Sequence, residues 1–396
     1  VFDGPEFRQL SLEAARKSMV LLKNEDSLLP LSKSLKTVAV IGPNADSRRN
    51  ILGDYTYSAH VDITIMAANA MNVPLSVPET EMKELPVPVV SILDGIKAKL
   101  GQGTRVLYAQ GCEYNGMSRD GFAEAVKIAR EADVAIVVVG GKSGLTPDCT
   151  CGEMRDSTEL RLPGVQEELV KAVYDTGTPV ILVLADGRPL VLGWMVETIP
   201  AILEAWLPGE EGGNAVADVL FGDYNPGGKL PIAFPRKASQ VPAYHGHKPS
   251  GARSQLWGDY TDCSTAPQFE FGYGLSYTSF KFSNLRVQPE KVKMGGKVRV
   301  RVEVENTGDV DGEEVVQLYV NDVVASVTRP VRELKGFRRI ALKPGETRTV
   351  EFELSTADLS FYGKDMKRIV EPGEFGVGVG PSSSSLPMLS KFEIVA

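Results

Sequence analysis

The sequence predicts an α/β sandwich domain with a mostly parallel sheet, followed by an all-β sandwich. Three observations carry that reading. Continuous apolar runs such as "TVAVIGPNAD" (37–46), "DVAIVVVGG" (133–141) and "TPVILVLADG" (178–187) alternate with helical patterns. Strands apolar on both faces belong to parallel sheets covered by helices. From about Ser276 the hydrophobic period becomes two, as in "KVRVRVEVENTG" (297–308) and "EEVVQLYVND" (313–322). Between these regions, residues 236–275 are rich in Pro, Gly, Ser and aromatics and show little periodicity.

Residues 1–35 read as a connector and helix. "FRQLSLEAARKSMVLLKNEDSLLPL" places Leu10, Ala14, Met19, Leu21 and Leu22 near one helical stripe, which ends before Pro30. Residues 36–235 form the α/β domain. After the first strand, "TRVLYAQG" (104–111) is a second, "FAEAVKIAREA" is an amphipathic helix, and "LPGVQEELVKAVYDTG" is a helix bounded by Pro163 and Gly177. "AILEAWLPGEEGG" is a strand entering a Gly-rich loop, and "NAVADVLFGDYNPGG" is a short helix closed by turn residues. Residues 236–275 form a linker; so long a patternless segment in a compact protein is functional or packs across a boundary. Residues 276–396 predict regularly spaced short strands, a sandwich of immunoglobulin or fibronectin type III kind. No cysteine pair is available there for an antibody-type core.

The chain has 396 residues, enough for two domains with real cores. Its formal charge of -8 argues against a nucleic-acid or anionic-membrane partner, since phosphate binding needs basic surface. No apolar run approaches bilayer length. Four cysteines, Cys112, Cys149, Cys151 and Cys263, do not make a disulfide scaffold. Free thiols are the simpler reading, with a long-range pairing to Cys112 or Cys263 left open. Val1 is not an initiator methionine, and "VFDGPEFRQL" reads like the middle of a longer chain. The compartment stays open between cytoplasm and a secreted or periplasmic bacterial setting.

The most loaded stretch is "CTCGEMRDSTEL" (149–160). Its C-x-C spacing has no second cysteine pair, and His60, His245 and His247 are remote in sequence, so no metal is expected. "VIGPNAD" lacks G-x-G-x-x-G and reads as a strand-to-helix turn. No G-x-S-x-G or Walker-type loop supports a serine or nucleotide hydrolase. Carboxylates remain. Glu153 in a loop after a sheet strand can be delivered to a cleft as a general acid, although spacing alone leaves it a solvated loop residue.

Longer motifs shift that balance. "AWLPGEEGGNAVADVLFGDYNPGGKLPIAFP" (205–235), "FEFGYGLSYTSF" (269–280), "NTGDVDGEEVVQLYV" with "RPVRELKGFRRIALKPGET", and "EAARKSMVLLKNEDSLLPL" (13–31) together resemble glycoside hydrolase family 3, in order and over nearly the whole chain. The resemblance implies an α/β sandwich and a fibronectin type III-like domain preceded by a barrel that carries the nucleophile, here absent. It implies that a sandwich loop donates the acid/base. In one branch that loop reads G-E-x-x-D-R; here it is Gly152-Glu153-Met154-Arg155-Asp156-Ser157. Glu153 matches the acid/base and Asp156 the following aspartate, while Ser157 replaces the arginine and Arg155 is its stand-in. Glu210 and Glu211 are rivals, better explained as shaping the Gly-rich loop. "GDYTY" (53–57) follows the first strand, where family members place an aromatic near the sugar, so Tyr55 and then Tyr57 are substrate-binding candidates against ordinary loop packing.

The implied function is part of a retaining, exo-acting β-glycosidase without cofactor or metal, a β-glucosidase first and a β-xylosidase second. Its expected partners are a β-linked oligosaccharide or glycoside and the N-terminal barrel, with homo-oligomerisation open. The competing reading is a non-catalytic carbohydrate-binding or adhesion module.

Overall fold

The computed structural model describes residues 3–249 and 259–396, so the middle of the Pro/Gly/aromatic-rich segment and the first two residues lie outside the description. The chain divides into two compact units, Val1–Gly228 and Lys229–Ala396. The sequence reading had set its boundaries at 35/36, 235/236 and 275/276.

In the first unit the elements are α1 (Pro5–Ser18), β1 (Val20–Asn24), β2 (Thr37–Ile41), α2 (Tyr57–Met71), α3 (Glu79–Met82), α4 (Ile92–Lys99) and β3 (Arg105–Ala109). They continue with α5 (Phe122–Arg130), β4 (Val134–Gly140), α6 (Gln166–Tyr174), β5 (Val180–Ala185), α7 (Trp194–Thr198), β6 (Ala201–Glu204) and α8 (Gly212–Leu220). One six-stranded sheet runs β1-β6-β5-β4-β2-β3. All neighbours are parallel except β1, which pairs antiparallel with β6. Every residue of β2, β4, β5 and β6 is buried, as expected for central parallel strands.

One expectation is corrected. The stripe over residues 6–31 is not one helix: α1 stops at Ser18, and Val20–Asn24 is the antiparallel edge strand. Met19 to Leu22 is four consecutive buried residues, which a strand between layers accommodates and a half-exposed helix does not. Helix α2 (Tyr57–Met71) lies in a stretch that the sequence pattern leaves unassigned. Its β-branched Val61, Ile63, Thr64 and Ile65 are poor helix formers, and its buried Val61, Ile65 and Ala68 decide the matter through packing. Asn72, in the left-handed region at φ 53°, ends it.

The Gly-rich signature explains itself by close approach. A Cβ on Gly213 would lie 2.0 Å from the Ser91 carbonyl oxygen, and one on Gly95 2.1 Å from that of Gly213. Helices α4 and α8 therefore cross backbone to backbone.

The second unit has β7 (Phe280–Gln288), β8 (Lys291–Lys293), β9 (Lys297–Asn306), β10 (Gly312–Asp322), β11 (Glu333–Leu342), β12 (Thr347–Ser355), β13 (Phe361–Tyr362), β14 (Arg368–Ile369), β15 (Gly373–Gly380) and β16 (Met388–Val395). A five-stranded sheet β11-β10-β15-β16-β8 and a three-stranded sheet β12-β9-β7 enclose the core. Val298, Val300, Val302 and Val304 of β9 meet Val316, Leu318 and Val320 of β10 in it. The period-two reading is the physical cause: alternate residues of β9 point inward. The FGYG motif is held here. Gln317 donates to the carbonyls of Gly272 (3.0 Å) and Pro381 (2.5 Å), and accepts from Tyr319 Oη at 2.6 Å.

Candidate active site on the switch-point loops

The chain leaves β2 toward β3 on one side, then crosses back to β4 on the other. Loops after β2 and β4 therefore diverge at the carboxyl ends of adjacent strands, where open α/β sheets place their crevice. Gly42, at φ 123°, ends β2; a Cβ there would lie 2.0 Å from the Val138 carbonyl oxygen of β4. That glycine serves strand crossing. Buried Asn44 then ties three strand ends together. Its Nδ2 donates to the carbonyls of Gly141 (3.1 Å) and Ala185 (3.0 Å), and its Oδ1 accepts from Asn50 at 2.8 Å.

The loop after β4 is pinned to itself. Gly144 N–H donates to Cys151 O at 3.1 Å and Thr150 N–H to Lys142 O at 2.9 Å. A tight turn follows, closed by Arg155 N–H donating to Gly152 O at 3.2 Å. Met154 sits at its third position with φ 58°, the conformation of a type II turn. Glu153 occupies the second position and is exposed. Gly152 is required: at φ 116°, a Cβ would lie 2.6 Å from the Gly144 carbonyl oxygen.

The two loops meet at Glu153. Tyr55 Oη donates to its Oε2 at 2.6 Å, and the Glu153 N–H donates to Asp54 Oδ2 at 3.0 Å. Tyr55 is 70% exposed, and the hydrogen bond to Glu153 raises its pKa above the usual phenol value, with the carboxylate's charge adding to it. Tyr57 opens α2 and is 52% exposed.

Arg155 and Asp156 go elsewhere. They line an open groove of about 1050 Å³ with Arg161, Glu167, Arg188 and Trp194. The Arg155 carbonyl accepts from Arg188 Nη2 at 2.6 Å. The structure thus brings Tyr55 to Glu153 and places Arg155 and Asp156 in the adjoining groove. Of the rivals, Glu211 is buried, paired with Arg8 at 2.5 Å and bonded by Asn214 at 2.6 Å.

Beneath the loop lie carboxyls that spacing did not single out. Burial pushes Asp186, at the end of β5, up to about 6; Arg188 N–H donates to it at 3.2 Å. Burial also holds Glu204, at the end of β6, well above the ordinary carboxylate range. Their positions at strand ends were the available signal. Asp54 was quoted inside "GDYTY" without a role of its own. All four cysteines are free, and burial raises the Cys151 thiol to about 11. Among the described residues, no three His, Cys, Asp or Glu side chains are grouped to hold a metal ion. None of the described helices is long and apolar enough to cross a membrane.

An α/β sandwich with a carboxylate loop, followed by a fibronectin-like sandwich, is the architecture of the C-terminal part of a glycoside hydrolase. Residues 19–277 match the glycosyl hydrolase family 3 C-terminal domain and residues 314–383 the fibronectin type III-like domain; the chain belongs to glycoside hydrolase family 3. The family match runs past Gly228, the end of the first compact unit, to residue 277. The chain is 44% identical to a β-xylosidase of Formosa agariphila, covering 96% of itself and 49% of that protein. It is 39% identical to a periplasmic β-glucosidase of Salmonella typhimurium, covering 98% and 50%. The crystal structure of a Listeria innocua β-glucosidase with glucose superposes with a TM-score of 0.83 at 32% identity, covering 99% of this chain and 50% of that one. The chain thus spans about half the length of the curated relatives it matches.

Proposed function

We propose that this chain supplies the general acid/base, Glu153, to a retaining, exo-acting β-glycosidase whose nucleophile lies on an N-terminal barrel. The observation that carries this is Glu153 itself: a carboxylate raised on a tight turn at the sheet's switch point, hydrogen-bonded to an exposed tyrosine. Such a group is oriented yet reachable.

The chemistry has two steps. A nucleophilic carboxylate attacks the anomeric carbon while the glycosidic C–O bond breaks, and protonated Glu153 gives its proton to the departing oxygen. The Glu153 carboxylate then takes a proton from water, whose oxygen displaces the enzyme carboxylate and restores it. The two carboxyls of such an enzyme stand about 5–5.5 Å apart. Tyr55, and secondarily Tyr57, offer ring faces to the leaving sugar; Arg155 and Asp156 border the approach.

The substrate is a β-glucoside in the first reading, in keeping with the Salmonella and Listeria relatives. A β-xyloside is the second reading, favoured by the Formosa relative. A periplasmic relative favours an exported setting over the cytoplasm.

The test is Glu153→Ala in the full-length enzyme on activated aryl β-glucosides and β-xylosides, with and without azide. The expected result is accumulation of glycosyl-enzyme, with azide restoring turnover and yielding a β-glycosyl azide. Wild-type behaviour would remove Glu153 from the mechanism.

A further inference from the structure

We propose that Asp54 is a positioning residue, the latch that holds the Glu153 turn against the loop after β2; this rests on Glu153 being the acid/base. The peptide N–H of Glu153 lies at the second position of the turn, where the closing bond from Arg155 to Gly152 does not use it. Asp54 Oδ2 accepts it at 3.0 Å. A carboxylate acceptor makes this bond stronger than a neutral one.

Asp54 also packs on the turn. A Cβ on Gly152 would lie 3.2 Å from Asp54 Cβ, so the bare glycine backbone lets the two loops close together. Asp54 is itself fixed by a local turn, in which Thr56 Oγ1 donates to Gly53 O at 2.7 Å. The next residue, Tyr55, grips the carboxylate. Consecutive residues of one loop therefore hold the backbone and the side chain of a single residue on the other. The side-chain bond alone would leave the turn free to rock, and the backbone bond alone would leave the carboxyl's torsions free. Asp54 engages the peptide N–H, so it acts on the reaction through Glu153.

The test compares Asp54→Ala and Asp54→Asn in the full-length enzyme. Asparagine keeps an oxygen acceptor and drops the charge. Amide hydrogen exchange over residues 152–156 is expected to quicken by about tenfold in Asp54→Ala and to stay near wild type in Asp54→Asn. With phenyl β-glycosides, whose leaving group needs protonation, kcat/KM is expected to fall by roughly 10–100-fold in Asp54→Ala. With dinitrophenyl glycosides the first step should be nearly unaffected, and Asp54→Asn should restore most activity on the phenyl glycosides. Unchanged exchange in Asp54→Ala would overturn the latch. An equal loss on both leaving groups would overturn the positioning role in favour of a structural one. A Glu153→Ala control with wild-type kinetics would fell the acid/base assignment, and with it the catalytic role of Asp54, while exchange would still report the latch by itself.

Discussion

The Tyr55 hydroxyl and the Glu153 carboxylate, 98 positions apart in sequence, share a 2.6 Å hydrogen bond between two loops that leave adjacent parallel strands. The phenol is the donor, so the bond is strongest while the carboxylate is ionised. Tyr55→Phe keeps the ring and removes only this bond. In steady-state kinetics of the full-length enzyme, kcat/KM on unactivated substrates should fall on the order of tenfold. Tyr55→Ala should additionally raise KM, because the ring face is lost. Identical kinetics for the two variants would remove the ring from substrate binding.

The same pair gives a pH prediction. The Tyr55 pKa is raised because a phenolate would lose its hydrogen bond to Glu153 and face a like charge. Glu153→Gln removes the charge and should bring the Tyr55 titration down toward the ordinary tyrosine value. Tyrosine-labelled ¹³C NMR, with Tyr55→Phe for assignment, reads this directly; an unmoved titration would dissolve the pair in solution.

Asp186 predicts a stability profile. Burial pushes its carboxyl up to about 6 in the folded protein, against an ordinary 3.8. Between those values the folded protein holds a proton that the unfolded chain has lost. Stability therefore falls as pH rises through that window and stays lower above it. A displacement of this size corresponds to about 3 kcal/mol at neutral pH. Asp186→Asn should stabilise the protein at pH 7 by up to that order and leave it nearly unchanged at pH 4. Urea denaturation at both values checks this.

Gly152→Ala should cost about 1–3 kcal/mol, because the turn must open or hold a strained φ against the Gly144 carbonyl. Activity should fall more than stability, since Glu153 is the neighbouring residue. Thermal melts and kinetics on the same preparation separate the two.

In the second unit, Gln317→Leu would strand the Gly272 and Pro381 carbonyls and the Tyr319 hydroxyl. The expected cost is about 2–4 kcal/mol. A denaturation midpoint within error of wild type would show that the FGYG segment is held by other contacts.

By itself the sequence determined the central strands and their class. β2, β4 and β5 are continuous apolar runs, which only a sheet covered on both sides can bury, and β9 alternates with period two because one face meets the core. Motif resemblance singled out Glu153 and Tyr55 as candidates but not their hydrogen bond, because spacing says nothing of which loops share a switch point. Only the tertiary structure decided that Val20–Asn24 is an antiparallel edge strand, that the weakly helical Tyr57–Met71 is a helix, and that Arg155 and Asp156 line the groove adjoining the Glu153 turn. The physical reason is common to all three. Local propensity and periodicity are properties of neighbours along the chain, whereas strand order, packing and the acceptor for one peptide N–H are set by residues about a hundred positions away.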